Sequence, residues 1–194
     1  MGSTLLALAA AFSPPHAHAA AADYTIDSAH TLVTFKARGF GILRLRGEFA
    51  TTVGTVSLDP QFGGGRFDIL IDAGSVEADD GAVEQVMRSK ALLNVEQYPT
   101  IVYVGERVTF VNGRPVLIEG QLTLLGVTSS VPLTVTDYGC TPSGASVERR
   151  CTIDATATFK RSTFGMSGYG ALIGDNIELA IEAEAVAIQP GDVH

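Results

Sequence analysis

Basic residues are scarce in this 194-residue chain: 13 Lys and Arg stand against 21 Asp and Glu, a net charge of -8. Each contact to a nucleic-acid phosphate needs a cationic side chain, and no basic stripe is present, so the composition argues against a nucleic-acid partner. Histidine is nearly as rare. Of four, His16 and His18 fall in the N-terminal stretch and His194 is the last residue, which leaves His30 alone in the body. A metal centre or a Ser-His-Asp arrangement would need His30 plus distant partners that no spacing motif announces. A lone His beside a turn is read as a hydrogen-bonded structural or surface side chain. The acidic cluster Glu77, Asp79 and Asp80 lacks the regular oxygen-ligand spacing of a calcium loop. Gly63-Gly64-Gly65 is followed by no Lys-Ser/Thr and opens no helix, as a phosphate cradle would. Carboxylates that meet only in three dimensions stay open as acid/base pairs. Nothing in the motifs argues for an enzyme, a metal or a resident cofactor.

The N-terminus has no apolar stretch of the roughly 20 residues that span a bilayer. Its apolar run, TLLALAAAF from Thr4 to Phe12, has the length of a signal h-region instead; Pro14-Pro15 breaks it, and Ala17-His18-Ala19 supplies small residues for cleavage. Met1-Gly2-Ser3 carries no Lys or Arg, which a usual n-region has. The expectation is a signal peptide over residues 1–19 and one domain over residues 20–194, exported to the periplasm or secreted. Two cysteines, Cys140 and Cys151, flank TPSGASVERR with its turn residues Pro142, Ser143 and Gly144. Their spacing is not the C-x-x-C of redox-active pairs. In an exported chain the default is one disulfide across a hairpin, contributing roughly 2 to 4 kcal/mol at best.

What the chain does have is alternation. In TLVTFKA, Val33, Phe35 and Ala37 share one face and Thr34 and Lys36 the other; in RFDILIDA, Phe67, Ile69 and Ile71 oppose Asp68 and Asp72. VLIEGQLTL sets Ile118, Leu122 and Leu124 against Glu119, Gln121 and Thr123, and VPLTVT sets Val131, Leu133 and Val135 against Thr134 and Thr136. CTIDATATF sets Ile153, Ala155, Ala157 and Phe159 against Thr152, Asp154, Thr156 and Thr158. IELAIEAEA sets Ile177, Leu179, Ile181, Ala183 and Ala185 against Glu178, Glu182 and Glu184. With turn signals at Asp59-Pro60, Gly63-Gly64-Gly65, Asn112-Gly113 and Gly144, the pattern predicts an all-β domain of about eight antiparallel strands, a closed barrel or a sandwich. One segment departs from it. DDGAVEQVMRSKALLN repeats Val83, Val86, Met87 and Lys90 at helical spacing behind Asp79 and Asp80, and Tyr98-Pro99 ends the run, predicting one short helix packed as a lid on the end of the sheet structure.

Small residues on otherwise bulky inner faces raise the question of interior volume. Ala37, Ala155, Ala157, Ala183 and Ala185 either leave a channel or pair with Phe35, Phe67 and Phe159 in a filled core, and composition leaves both readings open. A channel would be apolar and suit a hydrocarbon chain. Its candidate ligand contacts are Val33, Phe35, Ala37, Phe67, Ile69, Ile71, Leu133, Val135, Ala155, Ala157, Phe159, Leu179, Ile181 and Ala183.

In order, YTIDSAHTLVTF, RGEF, GTVSLDP, MRSKALLNVEQYPTI, GQLTLLGVTSSVPLTV, FKRSTFGM and IGDNIELAIEAEA resemble the successive motifs of the YceI-like, polyisoprenoid-binding family, from about Tyr24 to Val186. The resemblance implies a lipocalin-like antiparallel barrel, exported, whose long apolar channel holds an isoprenoid, a quinone tail or a fatty-acid-like amphiphile. It also admits transient contact with a membrane or membrane protein. Three roles follow: a lipid carrier or sequestering protein, an enzyme acting on the bound lipid, or an accessory module of a membrane redox or isoprenoid-linked system. Ser28 stands where the family often has Pro, Leu92-Leu93 where it has aromatics, and the cysteine pair lies outside its motifs. Within FKRSTFGM, Phe159 is expected to end an inward row, Arg161 and Ser162 to turn outward or to the rim, bonding strand-end carbonyls or an acid, and Phe164-Gly165 to form a close-packed corner.

Overall fold

Each alternating run becomes a strand in the structure, a computed structural model that describes residues 22–39, 44–59, 64–141, 149–170 and 172–188. In chain order the elements are β1 (Ala22–Ile26), β2 (Leu32–Gly39), β3 (Arg44–Phe49), β4 (Thr52–Asp59), β5 (Gly64–Asp72), the short β6 (Val76–Glu77), helix α1 (Gly81–Arg88), β7 (Thr100–Val111), β8 (Arg114–Leu124), β9 (Val127–Ser130), β10 (Leu133–Cys140), β11 (Arg150–Lys160) and β12 (Ile173–Ala187). Single 3-10 turns occupy Ser28–His30, Ala73–Ser75 and Arg161–Phe164. The expected signal peptide and the hairpin loop around Gly144 lie outside the described residues.

Three of the barrel strands are interrupted. β9 and β10 both pair with β8 in a single register, from Val127 opposite Leu124 to Thr134 opposite Leu117. β1 and β2 both run along β12, with Ile26 opposite Ala185 and Val33 opposite Ile181, and the turn Ser28–His30 breaks them apart. β4 pairs with β1 and β3 with β2, so β3 and β4 are likewise two halves of one strand, bent at Ala50-Thr51. Counted this way, the antiparallel strands form a closed eight-stranded barrel in which each strand neighbours the next and β12 returns to the first. Closure pairs the barrel strands on both sides except along most of β3, whose second side meets, among the described residues, only the two residues of β6, and so removes most of the exposed edge of an open sheet. Outward positions carry charge, with ion pairs such as Arg66–Asp68 and Arg107–Glu119, the opposite of a lipid-facing barrel wall. Among the described residues no helix is long and apolar enough to cross a membrane.

The turns follow backbone sterics. Asn112 and Gly113, joining β7 to β8, have φ of 51° and 74°, the left-handed pair that a tight hairpin requires. The β8–β9 turn uses Leu125 and Gly126, at 52° and 75°, in the same way. Leucine is a poor residue for that conformation, so alternation alone did not mark this hairpin; its side chain packs against the core.

Helix α1 begins at Asp80, whose Oδ1 accepts from Ala82 N at 2.7 Å, while Glu84 Oε1 reaches back to Ala78 N at 3.2 Å. Arg88 donates from Nε to Gly74 O and from Nη2 to Val76 O, tying the last helical turn to β6. Its buried stripe is narrower than predicted: Met87 is fully buried, Val83 half-buried and Val86 exposed, and Lys90 lies beyond the helix end. Leu92 and Leu93, in the turn after the helix, supply the rest of the cover.

Cys140 and Cys151 face each other across β10 and β11 and are bonded. The closed loop is short, so reduction, or replacement of both cysteines by Ser, is expected to lower stability by no more than about 3 kcal/mol. Denaturant melts with and without reductant measure this; a global loss of folding on reduction would contradict the bridge as a local staple.

Candidate ligand cavity

Two cavities with mainly apolar walls lie inside the barrel among the described residues, one of about 110 Å³ towards the β7–β8 and β10–β11 hairpins and one of about 90 Å³ towards α1. We call them upper and lower. Val33, Ile71, Leu122 and Leu179, from β2, β5, β8 and β12, line both and form a waist between them.

The predicted contacts divide between the two. Phe67, Ile69, Leu133, Ala155, Ile181 and Ala183 line the upper cavity, Phe35 and Phe159 the lower, and Val33, Ile71 and Leu179 both. Ala37, Val135 and Ala157 line neither; Ala37 is packed in the core opposite Ile177. Both readings of the interior therefore hold in different places. Where the core is filled, the room comes from glycine as well as alanine. A Cβ on Gly47 would sit 2.6 Å from the Phe35 ring, and one on Gly120 would sit 2.4 Å from the Tyr103 hydroxyl.

Tyr103 is an inward residue that the sequence reading missed. Its hydroxyl shares its one proton between the carbonyls of Val131, at 3.2 Å, and Ile118, at 3.4 Å, and burial pushes its ionisation well above the usual tyrosine range. Those bonds tie β8 to the chain between β9 and β10, just before the last two ladder pairs, Leu133 with Ile118 and Thr134 with Leu117. Tyr138 was also missed, because a bulge between Val135 and Asp137 shifts the phase of β10 and turns Tyr138, not Asp137, towards the upper cavity. Thr52, buried at 2% exposure, lines the upper cavity, and its hydroxyl has no protein hydrogen-bond partner.

Arg161 corrects an expectation: it turns inward and is 3% exposed. Its guanidinium donates to four backbone carbonyls, Nε to Gly174 at 3.1 Å, Nη1 to Met166 at 2.9 Å and Gly168 at 2.7 Å, and Nη2 to Ile173 at 2.9 Å. It thereby pins the segment between β11 and β12 across the lower end of the barrel, while its side chain contributes to the lower cavity wall. Ser162 does face out, bonding Asp175 through both its amide and its hydroxyl; these bonds, amide first, hold the Asp175 carboxyl below its ordinary range. Phe164 makes the expected corner, edge-on to Phe159 at 5.2 Å, with Gly165 at φ 75°.

His30 sits in a second polar cluster near the upper end. Asp27, His30 and Glu184 bring ligand atoms within 4.8 Å of one another, a metal-capable spacing. Arg150 Nη1 already contacts Asp27 Oδ2 at 3.1 Å and Glu184 Oε1, and His30 Nδ1 lies 3.0 Å from Asp27 Oδ2. The position a cation would take is held by a guanidinium, so we read the cluster as a rim ion-pair network. The His30 hydrogen bond, the largest influence, together with Arg150 and the Ala29 amide, holds the Asp27 carboxyl below its usual value against the opposing effect of burial. A depressed carboxylate adds stability above its unfolded pKa and loses it as pH falls through the folded value, so this rim loosens in acid.

The interior is that of a hollow lipocalin-like antiparallel barrel. The chain belongs to the YceI-like family, whose domain model matches residues 24–185. A UPF0312 protein of Yersinia pestis (strain Pestoides F) is 27% identical over 176 residues, covering 88% of this chain and 90% of that one. Among solved structures, Burkholderia cenocepacia BcnA superposes with a TM-score of 0.67 at 22% identity, covering 82% of this chain and 98% of its own. A polyisoprenoid binding domain from Saccharophagus degradans, implicated in plant cell wall breakdown, superposes at 0.62 with 15% identity, covering 85% and 98%. At these identities the structures show the shared fold.

Three substitutions test the interior. Ala183→Leu adds apolar volume to the upper cavity, so apo stability should hold or rise. Leu179→Ala removes part of the waist and should cost about 2 kcal/mol, the low end for leucine truncation because the side chain is only partly buried. Loss of stability in Ala183→Leu, read by denaturant melts, would mean that the upper space is already filled. Arg161→Met orphans four carbonyls and should cost at least about 3 kcal/mol or abolish folding; a stable variant would show that the pin is dispensable.

Proposed function

We propose that the protein is an exported carrier or sequestering protein that binds a long-chain isoprenoid, or a similar amphiphilic lipid, in the barrel interior. The observation that carries this reading is the pair of apolar cavities joined end to end at a waist of four side chains. Membership of the YceI-like family and the likeness to a domain described as polyisoprenoid binding support it. The volumes add a condition. Cavities of about 110 and 90 Å³ are comparable with the roughly 150 Å³ that admits a benzene-sized group and lie below the few hundred that drug-sized ligands fill. A long chain must therefore part the waist, and Val33, Ile71, Leu122 and Leu179 are the side chains that move. Binding is the whole activity in this reading, with no chemical step on the lipid. The expected N-terminal signal and the disulfide fit a periplasmic or secreted location.

Organic extraction of purified protein followed by mass spectrometry tests the proposal. A stoichiometric long-chain lipid is expected, and a barrel that yields none and takes up none when offered would overturn it. The same preparation should begin near Ala20; an exported chain retaining Met1 would overturn the leader assignment.

A further inference from the structure

The mouth of the upper cavity carries a guanidinium with no acidic partner. Arg149 is half-buried, and among the described residues no carboxylate pairs with it; of the other half-buried arginines, Arg88 pairs with Glu84 and Arg150 with both Asp27 and Glu184. Its Cζ lies over the ring of Tyr24, 6.0 Å from the centroid, and Tyr24 is a buried residue of the upper cavity wall. A second guanidinium approaches the same mouth. Arg114 Cζ is 6.0 Å from the centroid of Tyr138, which also lines the cavity, as does Pro115 beside it. Arg114 pairs with Asp137 at 3.1 Å, but both side chains are largely exposed, so a stronger anion can exchange with that carboxylate at little cost.

Both cations act on one point. Burial, and after it Tyr24, raises the ionisation of the Tyr138 hydroxyl, and the charges of Arg149 and then Arg114 work against that rise. Neither arginine hangs on a loose backbone. The Arg149 carbonyl accepts from Ala187 N at 2.9 Å, and the chain two residues on is fixed by the Cys140–Cys151 bridge; the Tyr138 hydroxyl lies 3.0 Å from the Cys140 sulfur, to which it alone can donate. Partial desolvation makes an unpaired guanidinium costly and makes a charge-assisted hydrogen bond to it strong.

We propose that Arg149, over the Tyr24 ring, with Arg114 over the Tyr138 ring, seats an anionic head group, a carboxylate or a phosphate, of the amphiphile whose chain enters the upper cavity. The inference rests on the lipid-binding reading and adds to it the polarity of the ligand and its direction in the barrel, head at the hairpin end and tail towards α1. The local disulfide then acts as the brace of the head-group seat as well as a staple.

Titration of the disulfide-intact protein with palmitic acid, hexadecyl phosphate and hexadecanol, three probes with the same chain, tests the seat. The two anions should bind about tenfold or more tightly than the alcohol, as one charge-assisted hydrogen bond provides. Arg149→Gln should erase that preference and leave the alcohol affinity unchanged, with Arg149→Lys retaining part of it. Acetate and inorganic phosphate should neither bind comparably nor displace the alkyl probes, which separates a lipid head group from a free anion. Equal affinities for acid, phosphate and alcohol, or an Arg149→Gln variant weakened equally for all three, would overturn the seat and leave lipid binding standing. Binding of none of the three would remove the lipid reading and the seat together.

Discussion

The pairing of β12 with two successive half-strands is the constraint on which the rest of the molecule depends. One strand of fifteen residues holds β11 on one side and both β1 and β2 on the other, so it alone converts a meander into a ring. Once the ring is shut, the inward row of every strand faces the same enclosed space. The alternation of Ile177, Leu179, Ile181, Ala183 and Ala185 with outward glutamates then becomes the wall of a cavity instead of one face of a sheet. Apolar burial supplies the drive and closed hydrogen bonding permits it, because few backbone polar groups of the wall are left to face the interior.

Much of this was legible in the sequence because period-two patterning is a direct image of a wall wet on one side. Eleven of the residues it nominated line a cavity. The helix was legible from its cap, since Asp80 does what an aspartate before a helix does. The misses share a physical origin. Tyr138 faces inward because of a bulge, and a bulge is a fault in register that leaves no trace in alternation. Tyr103 is accommodated by Gly120 on the neighbouring strand, a relation across strands that sequence order hides. Arg161 is buried because carbonyls from a segment several residues further on converge on it, and only the fold brings them there.

The two ends of the barrel are finished in different ways. At the lower end, helix α1, Leu92-Leu93 and the segment held by Arg161 make a cover built from side-chain packing and backbone bonds. At the upper end, ion pairs, aromatic rings and a disulfide surround the cavity with polar and polarizable groups. An amphiphile has the same asymmetry. The barrel is thus a container with a direction, set by its rims more than by its mainly apolar wall.

β9 and β10 run along β8 in one register, four residue pairs from β9 and two from β10, where β11 and β12 share eleven. The ladder stops at Thr134, and beyond it β10 is tied to β8 through Arg114, which pairs with Asp137 and donates to the Tyr138 carbonyl. Tyr103 reaches across this junction from inside with its hydroxyl, a clasp accessible only from the cavity side. The Leu125-Gly126 turn closes the lower end of this line, so β8 and the β9–β10 strand form a single hairpin. The wall is thus joined by side chains on both faces where its backbone ladder ends, by Tyr103 from inside and by Arg114 from outside.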